Sequence, residues 1–152
     1  MLIAVLTALL AGVPLVDAVK AGNMDTVRAL VAKRADVNAT EVDGTTALHW
    51  AAHFDNLAAA DLLIRAGANV KATNRYGVTP LWLACINGSA AMVGKLLGAG
   101  ADPNTAMPEG DTALMTAART GNVGAVKALL LHGAAVNARE NWKGQTALMW
   151  AA

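Results

Sequence analysis

A nine-residue phrase returns at nearly constant spacing along the chain. It reads GTTALHWAA from Gly44, GVTPLWLAC from Gly77, GDTALMTAA from Gly110 and GQTALMWAA from Gly144, in steps of 33, 33 and 34 residues. A second phrase keeps the same register, as RADVNA, GANVKA, GADPNT and GAAVNA. Such a period is typical of stacked repeat proteins. A unit of about 33 residues cannot bury its own apolar face, so the units are expected to stack.

One unit shows how the local structure follows from the residues. Gly44 suits a turn that needs a positive φ, and Thr46 can cap the free amides of a helix over residues 47–54. A second helix is predicted over residues 57–65. Gly67 then suits the left-handed residue that ends a helix. The unit is therefore predicted to be a helix, a turn, a second helix and an extended finger.

These phrases resemble the ankyrin-repeat family, whose repeat reads Gly-x-Thr-Pro-Leu-His-x-Ala-Ala, then a Leu-Leu helix and Gly-Ala-Asp-Val-Asn. GVTPLWLAC and LLGAGADPN match most of the two halves. The resemblance covers nearly the whole chain and implies an all-α solenoid of stacked helix-turn-helix units joined by extended finger turns. It divides the chain into a partial first repeat, three full repeats and a truncated fifth: 15–39, 40–73, 74–106, 107–139 and 140–152.

The histidine of the family phrase is present only as His49. In the family this side chain bonds to the phrase threonine and to backbone between repeats, so we expect a buried His49 bonded to Thr46. His53 and His132 are expected to be more exposed. The other repeats carry Trp82, Met115 and Met149 at this position, and their interfaces are expected to rely on apolar packing.

Three further departures from the family pattern carry structural expectations. Arg34 occupies a glycine position, where a side chain costs roughly 1 kcal/mol in the left-handed conformation. Lys71 replaces an asparagine that helps the turn. The last finger carries one extra residue, so it is expected to bulge and push Trp142 forward. The tryptophans inside the phrases, Trp50, Trp82 and Trp150, are expected to pack between repeats.

Composition and motifs argue against several function classes. Twelve basic and 11 acidic residues give a net charge of +1 without long runs of one sign, which does not favour a nucleic-acid partner. No catalytic or phosphate-binding motif is present, so no catalytic or cofactor-binding residue is assigned. His49 and His53 have the spacing of a metal pair, but suitable carboxylates are missing, and no metal is expected. Cys85 is expected to be a buried, unreactive thiol.

The N-terminal segment, residues 1–14, reads MLIAVLTALLAGVP. It is too short to span a bilayer, so no stable membrane span is predicted. Two interpretations remain open: a remnant of an export signal, or a first helix that covers the end of the domain. Export and a cytoplasmic location are accordingly both open.

The resemblance implies a non-catalytic module that binds another protein on a concave face built from finger tips and the exposed sides of the first helices. The alternative is a targeting or regulatory segment of a larger enzyme whose catalytic part lies outside this chain. We also expect the chain to be a fragment of a longer array, frayed or self-associating at its uncapped C-terminal end. The predicted partner-binding residues are Val42, Asp43, Thr45, His53, Phe54, Arg75, Tyr76, Val78, Ile86, Asn87, Glu109, Asp111, Arg119, Thr120, Trp142 and Lys143.

Overall fold

The structure, a computed structural model, describes residues 13–152, so most of the segment 1–14 and its two interpretations lie outside the described residues. Within this range the chain forms nine α-helices, and β pairing is limited to isolated bridges. In chain order the helices are α1 (Pro14–Lys20), α2 (Met24–Ala32), α3 (Ala47–His53), α4 (Leu57–Arg65), α5 (Pro80–Ile86), α6 (Ala90–Gly98), α7 (Ala113–Arg119), α8 (Val123–Leu131) and α9 (Ala147–Ala151).

The helices form pairs that stack along the chain. Within each of the first four repeats the first helix packs on the second, as α3 does on α4 and α5 on α6. First helices also contact first helices of neighbouring repeats in the series α1, α3, α5, α7 and α9, and the second helices follow the same order. This arrangement confirms the predicted all-α repeat solenoid.

Side-chain caps explain where most of the helices begin. Each of α3, α5 and α7 is preceded by a threonine whose hydroxyl accepts a backbone N–H three residues on, and an asparagine or serine does the same for the second helices. One such cap contributes about 1 kcal/mol. The prediction for α4 is confirmed residue for residue, whereas α3 ends at His53, one residue earlier than predicted.

The turns that leave the helices need left-handed residues. Gly67, Gly100 and Gly133 follow second helices with φ between 86° and 95°. Arg34 holds the same position in the first repeat with φ 57°, which confirms that it adopts the conformation that disfavours a side chain. Asp55, between α3 and α4, also adopts the left-handed conformation, with φ 52°.

His49 joins two repeats, as predicted. Its Nδ1 lies 2.8 Å from Thr46 Oγ1, and its Nε2 lies 3.0 Å from the carbonyl oxygen of Val78 in the next finger. Burial lowers the pKa of His49 below its ordinary value, although the Val78 carbonyl acts in the opposite direction. Trp82 cannot replace these bonds, because its indole N–H is buried without a partner. Met115 accepts only a long contact from the amide of Thr112, at 3.5 Å.

The fingers are also tied to one another by polar bonds. Asn38 donates to the Gly67 carbonyl at 3.1 Å and accepts the Asn69 amide at 2.7 Å. Asn104 repeats both bonds to the finger that follows it, at 3.3 Å and 2.8 Å. Lys71 stands at the equivalent position between them and its side chain forms neither bond within the described residues, so one junction lacks this clamp.

Candidate binding site

The predicted partner-binding residues lie along the fingers and first helices, and we call this set the finger surface. Its three rare aromatics are exposed: Phe54 by 52%, Tyr76 by 59% and Trp142 by 83%. Val42, at the tip of its finger, is exposed by 95%. Thr45 differs, because it is only 7% exposed and its hydroxyl accepts a hydrogen bond from Asn74. Most of the finger surface is therefore accessible, but Thr45 has little side chain left for a partner.

An aromatic cluster occupies the second-repeat end of the finger surface. Phe54 stacks on Trp50 with ring centroids 5.7 Å apart, and His53 meets both rings edge-on. The indole N–H of Trp50 donates to Glu41 at 2.6 Å. Lys20 pairs with the same carboxylate at 3.0 Å and lies 4.5 Å from the Trp50 ring centroid. These contacts hold an exposed apolar platform rigidly in place.

Trp50 forms part of this surface while it also packs on the core. We expected it, with Trp82 and Trp150, to pack between repeats. All three are half-buried, and Trp50 and Trp150 lie against Lys20 and Arg119 of the preceding repeats. Trp50 and Trp150 each rest on the core with one part of the indole and face the fingers with the rest. Their shared position in the sequence could have indicated this placement, since both tryptophans directly follow the histidine position of the repeated phrase.

The finger of the third repeat presents Tyr76 on a hydrogen-bonded turn. The side-chain oxygen of Asn74 accepts the amides of Tyr76 and Val78, each at 3.0 Å. The amide of Arg75 donates to the Asp43 carbonyl at 2.8 Å, and its guanidinium donates to the Val42 carbonyl at 2.8 Å. Arg75 thus links two neighbouring fingers, while the tyrosine ring remains free.

Two predicted residues act mainly within the scaffold. Asn87 donates to the carbonyls of Ala52 and His53, at 3.0 Å and 2.6 Å, which joins α5 to the preceding repeat. The hydroxyl of Thr120 donates to the Ala117 carbonyl at 3.0 Å. Both side chains are exposed, but these hydrogen bonds already use the side-chain N–H donor of Asn87 and the hydroxyl proton of Thr120.

The last finger accommodates its extra residue around Glu140. This carboxylate is buried, and it accepts the amides of Trp142 at 2.6 Å, Lys143 at 2.9 Å and Gln145 at 2.8 Å. These bonds, the one from Gln145 foremost, hold the pKa of Glu140 below its ordinary value. The indole of Trp142 projects into solvent from this loop, in agreement with the predicted bulge.

A pocket of about 330 Å³ lies between the last two fingers and α9. Two indoles and three carboxylates line it, and a cation stands over each indole: Lys143 at 4.6 Å from the Trp142 ring and Arg119 at 5.1 Å from the Trp150 ring. Burial, reinforced by Glu140 and Glu109, raises the pKa of Asp111 above its ordinary value. Trp150 and Glu140 of this pocket were not predicted as site residues.

The groups considered for chemistry lie apart. His49 is committed to the Val78 carbonyl and His53 belongs to the aromatic cluster. Cys85 is buried, and burial raises the pKa of its thiol to about 12, so the thiol stays protonated near neutral pH. No group of His, Cys, Asp and Glu within residues 13–152 could hold a metal ion. In the same part of the chain, no helix is long and apolar enough to cross a membrane.

A second accessible surface lies at the C-terminal end of the stack, on α7, α8 and α9. Leu148 is exposed by 77% and Met149 by 53%. Leu48 and Leu114, which hold the position of Leu148 in earlier repeats, are buried. An apolar groove of about 340 Å³ runs beside Leu148 and Met149. We call this the C-terminal surface, and its lining residues are Leu114, Ala118, Gly121, Val123, Val126, Leu130, Val136, Ala147, Leu148 and Ala151.

Comparison with known proteins agrees with the geometry. The family model described as ankyrin repeats (3 copies) matches residues 15–107 and 90–152, which is most of the chain. No curated protein matches the chain at a significant level. Repeats of this family are generally protein–protein interaction modules and are typically non-catalytic. The matched ranges and the stacked helix pairs together show that the chain belongs to the ankyrin-repeat family.

Proposed function

We propose that this chain binds another protein on the finger surface, without catalysing a reaction on it. The observation that carries the proposal is the exposure of Phe54, Tyr76 and Trp142 on the finger surface. Large aromatic side chains are enriched among the residues that dominate binding energy. Solenoid proteins commonly use such an extended surface.

The scaffold supports rigid recognition. Glu41 and Lys20 contact the aromatic platform around Trp50, and Asn74 holds the finger of the third repeat through hydrogen bonds. Because these contacts exist before binding, the chain itself loses less conformational entropy on binding than flexible loops would. Affinity would come from the aromatic anchors, and the mixed charges around them would select the partner.

Site-specific photo-crosslinking tests the location of binding. A benzophenone amino acid in place of Tyr76 should capture a partner from the native lysate. The same group in place of Ala58, which is exposed on α4, is the control and should capture it much less. The captured protein is then purified and its affinity is measured with the double variant Tyr76→Ala, Trp142→Ala.

The double variant should bind the purified partner at least about ten-fold more weakly, since a hot-spot aromatic is worth roughly 2 kcal/mol. Its thermal unfolding should match that of the unmodified chain, because both rings are exposed. Equal crosslinking from positions 58 and 76, or unchanged affinity of the double variant, would show that binding occurs elsewhere.

We also propose that a second copy of the chain covers the C-terminal surface. Its groove is lined without a charged side chain, while Leu148 and Met149 project beside it. Within the stack, the equivalent leucines are covered by the chain's own following helices. A second copy offers the same apolar helices, so two such surfaces can bury one another.

Analytical ultracentrifugation tests this pairing. The purified chain should dimerise with rising concentration, and Leu148→Glu should remain a monomer because a charge cannot be buried unpaired in the apolar contact. Val42→Glu places the same charge on an exposed finger tip and should still dimerise. A monomeric unmodified chain, or a Leu148→Glu variant that dimerises equally well, contradicts the proposal.

A further inference from the structure

We propose that the pocket between the last two fingers receives a lysine or arginine side chain of the protein partner. This inference rests on the proposed function and specifies what the finger surface recognises at this end. We call the site the indole pocket, and its lining residues are Glu109, Asp111, Glu140, Trp142, Lys143, Gln145 and Trp150.

The indole pair is the first reason. A cation over the face of tryptophan is attracted by the ring's quadrupole, and tryptophan is the best of the aromatic residues for this contact. The chain's own Lys143, which lines the pocket, stands over the Trp142 ring at 4.6 Å, and Arg119, which is not part of the lining, stands over the Trp150 ring at 5.1 Å. The two rings are therefore placed where cationic groups can reach them.

The carboxylates are the second reason. Neither Asp111 nor Glu109 forms an ion pair within the described residues, and the side chain of Asp111 is half-buried. Burial is the main cause that raises the pKa of Asp111; repulsion from the negative charges of Glu140 and Glu109 raises it further, and Arg119 lowers it. A cation from a partner would offset this repulsion and would form a charge-assisted hydrogen bond with Asp111.

The size and exposure of the site suit a single side chain of this kind. The pocket volume of about 330 Å³ accepts an extended lysine or arginine. Trp142 is mostly exposed, so a partner can approach its ring.

Short peptides probe the pocket directly. The full chain is titrated with acetyl-Gly-Lys-Gly-amide, with the arginine peptide, and with the norleucine peptide, which keeps the length of lysine but not its charge. Indole N–H signals are followed by NMR for all four tryptophans. Lysine or arginine should shift the Trp142 and Trp150 signals with dissociation constants on the order of millimolar, while Trp50 and Trp82 serve as internal controls.

Variants separate the charge from the fold. Asp111→Asn keeps the shape of the side chain. It should raise the dissociation constants of the cationic peptides about five-fold, as expected for the loss of one partly screened ion pair. Asp25→Asn is the matched control, because its side chain is almost fully exposed on α2 at the other end of the stack. Trp142→Ala should weaken binding by about three-fold through the lost ring contact.

The relative affinities of the lysine and arginine peptides show which cation the pocket prefers. Equal shifts from the norleucine peptide, shifts spread equally to Trp50 and Trp82, or unchanged binding by Asp111→Asn would overturn the inference. If cationic peptides fail while position 76 still crosslinks a partner, only the indole pocket assignment falls. If the peptides bind and position 76 captures nothing, the finger-surface proposal fails instead.

Discussion

The junction between the second and third repeats lacks a clamp that two other junctions possess. Asn38 and Asn104 each make two hydrogen bonds to the following finger, to the carbonyl of a left-handed glycine and to an amide two residues later. Lys71 holds the equivalent position. Replacing it with asparagine should therefore complete the series of clamps.

The magnitude follows from the two bonds gained. A hydrogen bond contributes a net 0.5–1.5 kcal/mol when the groups were previously hydrated. Both existing clamps are exposed to solvent, so the lower part of this range applies to each bond. Lys71→Asn should thus raise the free energy of unfolding by about 1 kcal/mol.

Urea unfolding followed by circular dichroism measures this change, and the chain supplies its own controls. Asn38→Lys and Asn104→Lys should each lower the free energy of unfolding by about 1 kcal/mol. Asn137 occupies the same position in the fourth repeat but makes no side-chain hydrogen bond within the described residues, so Asn137→Lys should change little. The reasoning is refuted if Asn38→Lys and Asn104→Lys cost no more than Asn137→Lys, or if Lys71→Asn gains nothing.

Two further stability predictions concern His49 and Asp55. Because burial lowers the pKa of His49 below its ordinary value of 6.5, the unfolded chain takes up the proton first. The contribution of His49 to the free energy of unfolding should be fully present above pH 6.5 and should fall as the pH drops below it. His49→Met introduces the residue found in two other repeats. This variant should lose that pH dependence in thermal melts between pH 7.5 and 5.5. Asp55→Gly should stabilise the fold by about 0.5–1 kcal/mol, because Gly22, Gly88 and Gly121 fill the same left-handed position elsewhere. Asp55→Ala is the control and should not stabilise in the same urea titration.

The fold could be predicted because its determinants are local and repeated. Thr46 caps its helix and Gly67 ends the next one, as the phrases indicate. Even the exception at Arg34 was visible, since the glycine register defines which residue must be left-handed.

The candidate site was predicted less completely, because its contacts depend on side-chain reach rather than on register. Trp50 stacks on Phe54, and its indole also contacts Lys20 from the first repeat and Glu41 from the finger. Glu140 could be recognised as part of an altered finger, but its three accepted amides depend on the path of the inserted loop. Such contacts appear only when the neighbouring fingers are placed together.

Backbone hydrogen bonds close the base of each finger. In all four fingers the first amide donates to the carbonyl next to the helix-capping threonine, as Glu41 does to Thr45 at 2.8 Å and Glu140 to Gln145 at 3.1 Å. The last finger keeps this closing bond even though one residue is inserted. Since these bonds lie at the base of each finger and not at its tip, substitutions of exposed tip residues such as Tyr76 and Trp142 should leave the stability of the stack nearly unchanged.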